Sequence, residues 1–168
     1  MKINTKKLAL IGVLAAVAMI LSYIEALLPP IYSAVPGIKL GLANIAVIFA
    51  LYSIGLKSAA LISAIKVFLS ALLFGSVTSF IYSFSGAVLS LVVMALMKKS
   101  MLFSPVGVSV AGAVMHNVGQ VLCAIIILGT AEIGYYLTFL SVSAVVSGVL
   151  VGLVSALLIK KLKAPKPQ

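Results

Sequence analysis

Residues 57–74 read KSAALISAIKVFLSALLF, an apolar run with one lysine, Lys66, near its centre. The run is close to the roughly 20 apolar residues that a helix needs to cross a bilayer. A charged side chain at that depth costs about 2.5–3.5 kcal/mol, so the protein must compensate for it. Ser63 and Ser70 share the helical face of Lys66, which indicates a polar face turned towards other helices.

Three interpretations of Lys66 stay open. Its ammonium group reaches the membrane interface along its flexible stem, pairs with the carboxylate of Glu25, or binds an anionic ligand. The last of these makes Lys66 a candidate binding residue.

Similar apolar runs fill the rest of the 168 residues, of which 64% are hydrophobic and only 8% charged. Too few polar side chains exist to coat a soluble globule, so a soluble enzyme is excluded. The charges are twelve lysines and two glutamates, giving a net charge of +10. The lysines separate apolar runs instead of clustering beside aromatic residues, so we expect no nucleic-acid partner.

Lysines, glycines and prolines divide the chain into six apolar segments, which we interpret as six membrane spans of a single all-α domain. The proline-rich stretch 29–38 is expected to be a loop that caps the bundle. The spans cover about residues 8–28, 39–54, 57–74, 77–97, 105–128 and 135–159.

The lysines also predict the orientation. When the connections alternate between the two sides, ten lysines fall on one side and only Lys39 on the other. The positive-inside rule then places both termini in the cytoplasm. A cleaved signal peptide over residues 1–26 is the alternative, but its loss would leave five spans and break this charge pattern.

The chain lacks the residues that several kinds of catalytic and metal site require. The chain has no aspartate and no GxxxxGK[ST] loop, so we expect neither an Asp-rich diphosphate site nor ATP hydrolysis. One histidine, two distant glutamates and the single Cys123 make a poor set of metal ligands. We therefore expect no metal, no bound cofactor and no catalytic residue, and interpret Cys123 as a core residue.

Polar residues inside the other spans predict a ligand pocket that opens outwards beneath the capping loop. Three of them, His116, Asn117 and Gln120 on the fifth span, either bind the ligand or form a hydrogen-bonded lock between helices. The predicted site contains Lys66, His116, Asn117, Gln120, Tyr82, Ser79, Lys39, Asn44 and Glu25. The lysines would supply positive charge, the residues of the fifth span hydrogen bonds, and Tyr82 a surface for a ring. Glu25 could pair with either lysine when the site holds no ligand.

Four stretches of the chain carry a resemblance to a known family: EALLPP (25–30), PGIKLGLANI (36–45), YSFSGAVLSLVVM (82–94) and SVAGAVMHNVGQVLCA (109–124). They resemble the small bacterial membrane proteins labelled heptaprenyl diphosphate synthase component I, also called the Gx transporter family. The resemblance implies a fold like that of the S components of energy-coupling factor transporters, six-helix proteins that hold a vitamin or cofactor near the outer surface.

In those transporters an AxxxA-type motif on the first helix docks onto a transmembrane coupling subunit, and two ATPases supply the energy. Gly12 and Ala16 match this motif as GxxxA, with Ala9 one turn earlier. The resemblance thus implies partner docking at Ala9, Gly12 and Ala16. Packing within the protein is the alternative for such small-residue stripes.

We therefore expect a substrate-binding subunit of a vitamin or cofactor uptake system in the bacterial cytoplasmic membrane. Lys66 favours an anionic ligand, and the protein itself would do no chemistry. The alternative is a non-catalytic membrane subunit that supports prenyl diphosphate or menaquinone metabolism. A third interpretation, an intramembrane enzyme with His116 as acid or base, lacks a clearly positioned second group.

Overall fold

The computed structural model describes residues 5–27 and 41–162, and within them the chain is helical without any β-strand. The predicted all-α class is confirmed. A 3-10 turn, Ala131–Tyr135, precedes the last helix. The six α-helices are α1 Thr5–Leu27, α2 Asn44–Ser53, α3 Leu56–Phe74, α4 Val77–Ser100, α5 Pro105–Leu128 and α6 Tyr136–Leu162.

Five of these helices, α1 and α3 to α6, are long and apolar enough to cross a membrane. Many of their large apolar side chains point away from the bundle, for example Leu72, Ile126 and Val142. Such an apolar surface suits lipid and not water. The chain is therefore a multi-pass membrane protein.

Helix α2 differs from the second predicted segment, 39–54. Its ten residues extend about 15 Å, half of the roughly 30 Å hydrocarbon core. Seven of the ten are buried, which makes α2 the centre of the apolar core. Lys39, the capping loop 29–38 and residue 28 of the first predicted span lie outside the described residues.

Local signals explain where α4 and α5 begin and end. Ser104 accepts a hydrogen bond from the Gly107 amide, and Pro105 occupies the first position of α5. Gly129 ends α5 in the left-handed region, with a φ of 68°, where a glycine is favoured. Ser76 and Ser79 form a capping box at the start of α4.

Close contacts between small residues hold α4, α5 and α6 together. A Cβ atom on Gly119 of α5 would lie 2.9 Å from the Cα atom of Gly86 on α4. On α6, a Cβ atom on Gly148 or Gly152 would lie 2.8 or 2.7 Å from backbone atoms of α5. Gly148 and Gly152 belong to a stripe of small residues on α6, and this stripe therefore serves packing inside the protein.

Helix α2 is tied to the far end of α4 by Lys98. The ammonium group of Lys98 donates a hydrogen bond to the carbonyl oxygen of Leu51 and lies 5.2 Å from the ring centre of Tyr52. Both contacts place a positive charge at the carboxyl end of α2, where the helix dipole favours it.

Candidate functional site

A cavity of about 360 Å³ lies between the helices, and residues from all six α-helices line it. Its volume falls within the range of small-molecule sites, which is roughly 300–1,000 Å³. Glycine, alanine and serine form much of the wall, so the space exists because these side chains are short. Among the described residues, Lys66 and Glu25 are the charged members of the lining.

Lys66 links α3 to α2 in the wall of the cavity. Its ammonium group donates a hydrogen bond of 2.8 Å to the side-chain oxygen of Asn44, the first residue of α2. Lys66 is half-buried and lines the cavity, so its charge is held inside the bundle instead of at a helix end. The contact joins two of the predicted site residues and leaves the ammonium group within reach of a ligand in the cavity.

Glu25 connects the end of α1 to the start of α2. Its carboxylate accepts a hydrogen bond from the backbone amide of Gly41. Gly41 has a φ of +69°, a conformation that glycine adopts without a steric penalty. The carbonyl oxygen of Gly41 in turn accepts a 2.9 Å bond from the amide of Asn44. These bonds hold the Asn44 side chain in position to meet Lys66.

The polar residues of α5 have different roles. His116 and Gln120 line the cavity. Asn117 also lines it, but its side-chain amide donates a 2.8 Å bond to the carbonyl oxygen of Leu140 on α6. The interhelical lock that the sequence left open is thus present for Asn117.

On α4, Ser79 lines the cavity, whereas Tyr82 lies outside the lining. The Ser79 hydroxyl group donates to the carbonyl oxygen of Ser76 at 3.0 Å, so it also serves the helix cap. Ser85, which sequence reasoning did not single out, donates a 2.8 Å bond to the carbonyl oxygen of Gly119 and locks α4 to α5.

Sequence reasoning missed several cavity residues on the inner face of the bundle. Ser109 precedes His116 by seven residues, which puts both on one face of α5. That spacing was a readable signal. Ser147 of α6 had no comparable signal, because it comes to the cavity only through the packing of α6 on α5. Among residues 5–27 and 41–162, no three His, Cys, Asp or Glu side chains gather in a group that could hold a metal ion.

The three residues of the predicted docking stripe, Ala9, Gly12 and Ala16, are exposed on one side of α1. A Cβ atom added to Gly12 would have no atom within 4 Å. Contacts among the described residues therefore do not require a glycine at this position. The stripe is a free surface of the described structure, beside the apolar side chains of Val13 and Ile20.

A comparison with protein families identifies the group to which the protein is related. The family model described as heptaprenyl diphosphate synthase component I matches residues 14–158. No curated protein and no solved structure matches the chain significantly. Since the matched segment extends from α1 to α6 and covers most of the sequence, the chain belongs to the heptaprenyl diphosphate synthase component I family.

Proposed function

We propose that the protein is a ligand-binding membrane subunit that captures a small molecule in the cavity between its helices. The ligand is a vitamin-like or cofactor-like molecule with an anionic or electron-rich group. The protein performs no chemistry on it and depends on partner subunits to move it, as the S components of energy-coupling factor transporters do. The single observation that carries this proposal is the polar cavity with the Lys66–Asn44 pair in its wall.

The cost of an intramembrane lysine supports a ligand role for Lys66. The amide oxygen of Asn44 carries only a partial charge, so its bond to the ammonium group is weaker than one to an anion. An anion in the cavity would form the stronger, charge-assisted hydrogen bond with Lys66. The first backbone amides of α2 are already used within the chain and do not favour an anion. Those of Asn44 and Ile45 donate to the carbonyl oxygens of Gly41 and Leu42 in the preceding turn. Lys66 is therefore the main feature that favours an anion.

The positions of the charges support six crossings with both termini in the cytoplasm of a bacterial cell. If the helices alternate in direction, the described lysines outside the cavity lie at one end of the bundle, and Glu25 and Glu132 lie at the other. The segment that contains α2 must cross for this pattern to hold, although α2 itself extends over only about half of the hydrocarbon core. Its start is tied to Glu25 and its end to Lys98, which lie at opposite ends of the bundle in this arrangement. The lysines at the proposed cytoplasmic end are Lys6, Lys7, Lys57, Lys98, Lys99, Lys160 and Lys161.

The exposed stripe on α1 supports docking to a transmembrane coupling subunit, which two ATPases would drive. Small residues allow a partner helix to approach closely in lipid. The stripe of α6 is used for internal packing, whereas Gly12 of α1 has open space beside it. Replacing Gly12 with Leu would close that space without touching the cavity.

The second candidate function is a non-catalytic membrane subunit that supports enzymes of prenyl diphosphate or menaquinone metabolism. The family description favours this role directly and does not mention transport. The cavity would then hold part of a prenyl substrate, or it would have no ligand and result only from the way the helices pack.

One purification separates the two candidates. The protein is extracted from its own membranes in mild detergent, and both its bound small molecules and its bound proteins are identified by mass spectrometry. A stoichiometric small molecule together with a membrane subunit and ATPases supports capture for transport. A soluble prenyl-transferring enzyme, without a stoichiometric small molecule, supports the second function and contradicts the first.

A further inference from the structure

Ser83 of α4 and Gln120 of α5 differ from their polar neighbours, because their side chains make no hydrogen bond to other described residues. The hydroxyl group of Ser85 and the amide of Asn117 both donate to backbone carbonyl oxygens of neighbouring helices. Those two residues therefore serve contacts between helices. Ser83 and Gln120 are half-buried and line the cavity, so their polar groups are available to a ligand in it.

Ser83 and Gln120 lie at similar depth on two antiparallel helices. A Cβ atom on Gly86 of α4 would lie 2.9 Å from the Cγ atom of Gln120, and one on Gly112 of α5 would lie 2.6 Å from the sulfur atom of Met94. Contacts thus move up α4 as they move down α5. Ser83 is three residues before Gly86, so it lies within about one turn, roughly 5 Å, of Gln120 in depth.

Ring contacts between α3 and α4 bring Lys66 to the same part of the cavity. Phe68 packs edge-on against Phe80, with ring centres 6.3 Å apart, and Phe80 stacks on Phe84 at 5.7 Å. Lys66 comes two residues before Phe68, and Ser83 lies between the two phenylalanines of α4. The cavity therefore offers an ammonium group, a hydroxyl group and an amide in one layer.

We propose that Ser83 and Gln120 form a subsite for a neutral amide-type group, and that the ligand is a compact anion that carries such a group. The anionic group binds at Lys66, and the amide-type group pairs with Gln120 and Ser83 in the same layer of the cavity. This inference rests on the proposed ligand-binding function and narrows the class of ligand.

The side chain of Gln120 favours a partner with a donor and an acceptor side by side. A glutamine amide has an acceptor oxygen and two N–H donors, and it pairs with such an edge through both, as it does with adenine. The hydroxyl group of Ser83 both donates and accepts, so it suits either side of that edge. A carboxamide or a ring amide presents the edge, whereas a second carboxylate would offer no donor to the Gln120 oxygen.

The test uses two probes of matched shape, meta-carbamoylbenzoate and meta-acetylbenzoate. Both have the carboxylate and the carbonyl oxygen, but a methyl group replaces the amide nitrogen in the second. Their affinities are measured by isothermal titration calorimetry for the full chain in lipid nanodiscs. We expect the wild-type protein to bind the carbamoyl probe about tenfold more tightly, the effect of one well-formed buried hydrogen bond. Gln120→Leu should remove this difference.

Asn117→Ala is the matched control, because Asn117 carries the same amide group and lines the cavity but donates to Leu140. This variant should keep the tenfold preference, whereas Ser83→Ala should weaken the carbamoyl probe about threefold. Equal affinities of the two probes for the wild-type protein would overturn the subsite. A preference that persists in Gln120→Leu, or that is also lost in Asn117→Ala, would overturn it as well.

Two further measurements separate the possible failures. Lys66→Met should weaken both probes alike, and if it does while the wild-type protein does not distinguish them, the capture function stands and the subsite falls. Binding of neither probe would overturn the ligand class, and the purification from native membranes decides capture independently. Without a probe, Gln120→Leu should not lower the melting temperature, because it breaks no hydrogen bond to a described residue. A clear drop would assign Gln120 a structural role and contradict the subsite.

Discussion

The ammonium group of Lys66 and the side-chain oxygen of Asn44 lie 2.8 Å apart, although 21 residues separate them in the chain. The contact joins the middle of α3 to the first residue of α2 and stands in the wall of the cavity. It places a positive charge where a ligand in the cavity can reach it.

The Lys66–Asn44 pair should behave as one energetic unit. Asn44→Ala removes the acceptor and leaves a half-buried ammonium group less satisfied, which we expect to lower the free energy of unfolding by about 1–3 kcal/mol. Lys66→Met removes the charge, so Asn44→Ala should cost much less in that background. A denaturant series in detergent gives the free energy of unfolding of the wild-type protein, the two single variants and the double variant. Additive costs would show that the two side chains do not depend on each other.

Two glycines on the long helices should respond oppositely to the same substitution. Gly119→Ala places a methyl group 2.9 Å from the backbone of α4 and should destabilise the protein by about 1–3 kcal/mol. Gly12→Ala meets no atom within 4 Å and should be neutral, or stabilising by up to about 1 kcal/mol through helix propensity. Thermal unfolding of both variants provides the comparison. Equal destabilisation would mean that α1 packs against the protein at Gly12.

Asn117→Ala should weaken the contact between α5 and α6. The variant loses the 2.8 Å bond to the carbonyl oxygen of Leu140, and such bonds in membrane proteins contribute roughly 0.6–2 kcal/mol. Thr138→Ala, at an exposed position two residues before Leu140 on α6, is the control and should leave stability unchanged. Full stability of Asn117→Ala, with loss of ligand binding, would show that this amide serves the ligand and not the helix contact.

Neighbouring lysines at the end of α4 offer a second matched pair. Lys98→Met removes the hydrogen bond to Leu51 and the contact with the Tyr52 ring, and should cost about 1–2 kcal/mol of stability. Lys99→Met, which changes an exposed side chain, should cost far less. Melting temperatures of the two variants decide this, and similar values would contradict a specific role of Lys98 in holding α2.

Local signals were sufficient to predict most of the helices. Residues 105–128 were predicted as one helical segment, and α5 has these bounds because Pro105 and Gly129 act within their own turns. The short α2 was less predictable. Its burial depends on the helices around it, and a fully buried helix carries no periodic pattern that marks its ends.

The candidate site was predictable in composition but not in geometry. Lys66, Asn44, His116 and Gln120 were selected as polar residues in apolar spans, and they share one cavity. Tyr82 was selected by position on α4, but at 100° per residue it is offset by about 60° from Ser79 and about 100° from Ser83, which both line the cavity. The lock made by Asn117 depends on a contact between two helices that are distant in the chain, which spacing alone does not reveal.

Native mass spectrometry of the intact protein, released from membranes in which it was made, tests the capture of a small molecule through Lys66 most directly. The wild-type protein and a Lys57→Met control, changed at an exposed lysine of the same helix, should both carry one small molecule of the same mass. Lys66→Met should be folded and lack that mass. An equal amount of the same bound molecule in all three proteins would contradict the role of Lys66, and a wild-type protein without any bound small molecule would contradict stable capture.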